Sequence, residues 1–140
     1  MTRVGSFARL SNERRALVAM AVCLTAVVRV GLAVSSFRRL ADLLAYVPAR
    51  VSNEHARVDR ADVRWATVTA ARQVPGTSCL DRALVAHTIC RSCGHESAIH
   101  VGVDRESDEF TAHSWVESRE CVIVGDDVDL DRFEHLGVIE

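Results

Sequence analysis

Residues 79–103 read CLDRALVAHTICRSCGHESAIHVGV, and the hydrophobic period changes inside this stretch. From Cys79 to Cys93 the apolar residues recur at helical spacing. Gly94 then stands at the position where helices end in a left-handed residue. From Ser97 the pattern switches to period two, which predicts a strand over SAIHVGV. Two further alternating runs follow, FTAHSWVE at 110–117 and CVIV at 121–124, separated by the polar turns SDE and SRE. A helix followed by an antiparallel meander is an α+β arrangement. The tail from Gly125 is acidic and reads as loop.

Upstream, the first half reads as helices. Ser11 and Asn12 offer N-caps for an apolar segment that Gly31 is expected to end. Ser35 or Ser36 caps a second helix with Phe37, Leu40, Leu44 and Val47 on one face, stopped by Pro48. Ser52 opens a third, in which Val58, Ala61, Trp65 and Val68 share a face until Pro75 and Gly76. The expected organisation is a helical N-terminal region over 1–60 and a compact core over 61–140. The uncharged run at residues 16–28 stops at Arg29, short of the about 20 residues a bilayer span requires, so a buried helix is expected and no transmembrane span.

The bulk numbers exclude several classes. With 17 Lys and Arg against 19 Asp and Glu, the net charge of -2 gives no basicity to recruit nucleic acid. Five cysteines are too few and too odd for a disulfide framework in 140 residues, which points to the reducing cytoplasm.

Chemistry concentrates after Pro75. Cys79 opens a helix, where the macrodipole favours a thiolate. His113 lies on the second strand, where an imidazole acts as base and then as acid. Asp126 or Asp127 follows the third strand, where a carboxylate fixes the tautomer of such a histidine. This is the cysteine form of triad logic. Against it stands the fact that a free cysteine is usually core and a lone strand histidine usually structural. By alternation His113, Trp115 and Glu117 share the face opposite Ala112, Ser114 and Val116. The second set faces the core, so something must cover Trp115. A rival reading takes Cys90, Cys93 and His95 as zinc ligands, with His87, His100 or Cys121 as a fourth.

The combination of the Cys-Leu-x-Arg-Ala-Leu helix start, the closing Gly94, the Ile-x-x-Gly-Val strand and the His-x-Trp-Val-Glu strand resembles the leader peptidases of lasso-peptide biosynthesis. These are members of the transglutaminase-like superfamily. The resemblance runs from about residue 65 to about residue 136. It implies a papain-like cysteine peptidase core that needs no cofactor, with Cys79 as nucleophile, His113 as general base and Asp126 as orienting acid. It also implies a precursor peptide of leader plus core as substrate and a cyclase resembling asparagine synthetase as successor. The helical first half is similar to the split form, in which a separate protein recognises the leader. An acyl transferase on the same fold and a non-catalytic zinc or scaffold module are the alternatives. The cleavage sequence and the product are written in the substrate and not in this chain.

Overall fold

The computed structural model describes residues 12–47, 58–104 and 111–140. Among the described residues four helices precede a four-stranded sheet. They are α1 (Asn12–Val34), α2 (Phe37–Leu44), α3 (Arg60–Gln73) and α4 (Cys79–Ser92). The strands are β1 (Ala98–Asp104), β2 (Thr111–Ser118), β3 (Cys121–Val124) and β4 (Glu134–Ile139), with a 3-10 turn at Leu130–Arg132. Strand order is β3-β2-β1-β4, with every described pair antiparallel. The class is α+β.

Helix α4 runs through the middle of the molecule. Nearly every side chain from Ala83 to Cys90 is buried, the signature of a helix packed on all sides. One side meets α1 and α3, and the other meets the inner face of the sheet, where Ile99 lies opposite Val116. Each fully buried aliphatic side chain contributes roughly 1.5–3 kcal/mol. Strong burial of this helix therefore fixes where its first residue, Cys79, must sit.

Helix α1 differs from expectation at its end. It passes through Gly31 and continues to Val34. A Cβ at Gly31 would come 2.7 Å from Leu40 Cδ1, so the glycine is there to let α2 approach, not to stop α1. Leu17, Val18, Ala21, Thr25 and Val28 form its buried stripe and join the common core. The helix is long and apolar enough to cross a membrane by length and composition, with a third of its apolar window buried in the fold.

Ser36 caps α2 by accepting from the Arg39 N–H, and Leu40 and Leu44 point inward with Phe37 and Val47 half-buried beside them. The expected roles of Ser11, Pro48 and Ser52 fall outside the described residues.

Helix α3 begins at Arg60 behind an Asp59–Asp62 capping box. Its buried stripe is Val63, Ala66, Thr67 and Ala70, rotated from the predicted one. Small residues win that face because α1 and α4 both press against it. Trp65, too large for that gap, is half-buried under the Arg14 guanidinium, 5.0 Å from the ring centroid.

The β2–β3 turn is made by Arg119 and Glu120 at φ 49 and 67, the left-handed pair that matches strand twist in a two-residue hairpin. The acidic tail is not all loop. β4 pairs with β1 along its outer edge, with a bulge between Val101 and Gly102. Backbone hydrogen bonds hold it while its side chains stay mostly exposed, so no apolar alternation advertises it.

Candidate active site

The site starts from a turn. Pro75 and Gly76 end α3, Gly76 at φ +76, and Ser78 then caps α4. Ser78 Oγ accepts from the Asp81 N–H at 3.2 Å, and Asp81 Oδ2 accepts from the Ser78 N–H at 2.8 Å. Cys79 is thereby the first helical residue, with its thiol partly exposed. The N–H groups of a first helical turn lack intrahelical partners and point outward. Asp81 is fully buried, and its Oδ2 also lies 3.4 Å from Arg29 Nη1 of α1.

His113 is buried on the outer face of β2, as the alternation requires, between the rings of Trp115 and Phe133. Trp115 is covered by Phe133, His100 and His135, so the C-terminal return of the chain supplies its cover. His113 Nε2 sits 2.7 Å from the carbonyl oxygen of Gly125. A carbonyl only accepts, so Nε2 carries a hydrogen, and in the neutral ring Nδ1 is then the nitrogen with the lone pair. That is the tautomer a general base needs.

Gly125 is confined to glycine twice over. Its φ is +99, and a Cβ there would meet Trp115 Cβ at 2.5 Å and Ser114 O at 2.9 Å. The two residues after it anchor the turn. Asp126 Oδ1 lies 2.9 Å from Arg64 Nη1 of α3, which also donates to Ile123 O at 3.2 Å. Asp127 Oδ2 lies 3.6 Å from Arg82 Nη2, in the first turn of α4 beyond Cys79.

The three residues expected from sequence lie on three elements: Cys79 at the start of α4, His113 on β2 and Asp126 in the turn after β3. Among the described residues no hydrogen bond joins Cys79, His113 and Asp126 directly. His113 is held by the Gly125 main chain, while the carboxylate of Asp126, one residue on, is turned to Arg64. α4 packs on the inner face of β2 and His113 projects from the outer one, so the turn is what connects them. A cleft of about 460 Å³ opens beside this arrangement, lined by Thr77 and Arg82 on either side of Cys79, by Arg64 and Arg72 of α3, and by Asp126 and Asp127. Arg64 and the Gly125 carbonyl carried no signal in the sequence, because one is a long-range ion partner and the other is backbone, and Arg82 was read only as part of the helix-start motif.

The other end of α4 holds the residues of the zinc reading. Cys90 is buried, and burial, with Cys93 adding to it, pushes its thiol up to about 11. His87 is lowered by burial and then by Arg91, and its Nδ1 is 2.7 Å from Ser97 Oγ. His95 Nε2 is bound instead to the Val58 carbonyl at 2.6 Å. Among the described residues no three His, Cys, Asp or Glu side chains converge as a metal site would require.

The sequence matches the family described as the transglutaminase-like superfamily over residues 20–138, and the chain belongs to that superfamily. No curated protein and no solved structure matches it.

Proposed function

From membership of the transglutaminase-like superfamily, whose matched span includes all three site residues, we propose that this chain is a cysteine peptidase. Its substrate is a ribosomally made lasso-peptide precursor, from which it removes the leader. The observation that supports the reading is the Gly125 carbonyl on His113 Nε2, which leaves Nδ1 as the ring nitrogen available to act as base.

In this mechanism the thiol and imidazole, on opposite sides of β2 in this structure, come within reach when substrate binds, and Nδ1 of His113 takes the thiol proton as Cys79 Sγ attacks the scissile carbonyl. The Cys79 backbone N–H, an orphan donor at the start of α4, stabilises the tetrahedral oxyanion. The imidazolium then protonates the leaving amine, the C–N bond breaks and a thioester remains on Cys79. Water, deprotonated by His113, hydrolyses it to a carboxylate and the free thiol. Asp126 is assigned as the orienting acid; its carboxylate meets Arg64 while the Gly125 carbonyl occupies His113 Nε2, so its action on the imidazole would pass through the turn. No cofactor enters these steps.

The protein acts in the cytoplasm with a separate leader-recognition protein, ahead of a cyclase resembling asparagine synthetase. Leaders of this kind are gripped by strand addition to a sheet edge. The described residues before Gly76 are helical and offer no such edge. The test is a mass-spectrometric time course of leader release with and without the recognition protein. Slow or absent cleavage alone and strong acceleration by the partner are expected. Full-speed cleavage by the chain alone would show that recognition resides within it, and no cleavage under either condition would sink the peptidase reading.

A further inference from the structure

The cleft lined by Thr77, Arg82 and the turn after β3 carries an excess of positive charge. Three guanidiniums line it, from Arg64, Arg72 and Arg82, against two carboxylates, Asp126 and Asp127. Arg64 is closely paired with Asp126 at 2.9 Å. Arg82 meets Asp127 only at 3.6 Å, and more than half of the Asp127 side chain is exposed. Arg72, in the last turn of α3, is exposed, and among the described residues it has no carboxylate partner. Thr77, two residues before Cys79, Arg82, three after it, and Gly125, whose carbonyl holds His113, line the cleft, which puts it at the N-terminal end of α4, although Cys79 itself does not line it.

We propose that this cleft is a carboxylate-binding subsite in which Arg72, assisted by Arg82, receives an acidic side chain of the peptide substrate close to the scissile bond. The proposal rests on Cys79 being the nucleophile and adds the chemical class of its substrate. Guanidiniums suit the task because they stay charged and bind carboxylates through paired N–H donors. The other cations of the cleft are already engaged, so an arriving carboxylate finds Arg72 ready without first breaking a close ion pair. Val68, Ala71 and Val124 supply an apolar wall that lowers the local dielectric and strengthens the attraction.

The experiment compares two alkylating probes that differ in charge, iodoacetate and iodoacetamide. Each is attacked by a thiolate with loss of iodide and leaves a thioether. Peptide mapping gives the rate at Cys79 and at Cys23 and Cys121, whose exposure makes them internal controls. The ratio of iodoacetate to iodoacetamide rates should be about 3- to 10-fold higher at Cys79 than at the controls. It should shrink in molar salt, fall to the control value in Arg72→Gln and persist in Arg72→Lys. A second arm uses C-terminally amidated peptides that differ only by Glu, Gln or Lys near the cleavage point. Wild type should favour Glu, and Arg72→Glu should reverse the preference toward Lys. Equal ratios at all three cysteines, unchanged in Arg72→Gln, would overturn the subsite while leaving peptidase activity on neutral peptides standing. A Cys79 inert to both probes would overturn the nucleophile and the subsite together.

Discussion

At the scale of single residues, burial separates the partly exposed Cys79 from Cys90 in the core. Cys90 is closed inside the core with its thiol pushed up to about 11, so at neutral pH only about one molecule in ten thousand carries its thiolate. Iodoacetamide should label Cys79 fastest and leave Cys90 unmodified in the folded protein, and tryptic mapping checks this. Equal labelling of the two would contradict the assignment. Because the folded-state value of Cys90 is raised, the stability it confers is complete below the unfolded value near 9. That stability is lost as pH rises to about 11, a loss of up to about 2–3 kcal/mol. Denaturation curves across that window should fall for wild type and flatten for Cys90→Ala. Asp126 makes a different kind of contribution. Asp126→Ala frees the turn from α3 and should lower turnover about 10- to 100-fold through misplacement of His113. Asp129→Ala and Asp131→Ala, in the 3-10 segment, should stay near wild type. If Asp127→Ala proves the damaging change instead, the anchor on Arg82 governs the turn.

At the scale of elements, two capping boxes of the same design give a controlled comparison. Ser78→Ala and Asp59→Ala should each cost about 1 kcal/mol in denaturant titrations. Only the first sits beside Cys79, so only the first should also slow turnover. Gly125→Ala should cost more, since it combines a left-handed backbone with a clash against Trp115, and it should abolish turnover. The helices were legible because their buried stripes and caps are local. The exceptions have tertiary causes. Gly31 resembles a helix stop yet makes room for Leu40, and the α3 stripe turned toward small residues because two helices press on it. β4 was illegible because its side chains are mostly exposed and only the edge of β1 defines it. Of the candidate site, the placement of Cys79 at a helix start and of His113 on the Trp115 face of β2 could be read from motif and alternation. The Gly125 carbonyl could not, since any residue has one and only the fold aims it.

At the scale of the whole molecule, one core joins the first helix to the third strand, from Leu17 to Val124. α1 is therefore part of the platform under α4, and Arg29 reaches from it to the buried Asp81 behind Cys79. The outer side of α1 leaves Val27, Val30 and Val34 exposed. The central claim is that this platform presents Cys79 as the nucleophile of a hydrolysis. The same thioester would serve an acyl transferase if an amine replaced water, and superfamily membership alone does not separate the two. The most direct measurement incubates wild type and Cys79→Ala with the precursor and recognition protein in water enriched in heavy oxygen, followed by mass spectrometry of the products. The account predicts a leader fragment whose new carboxylate carries one heavy oxygen atom with wild type, and intact precursor with Cys79→Ala. An amide-linked product free of heavy oxygen, or cleavage that survives in Cys79→Ala, would contradict it.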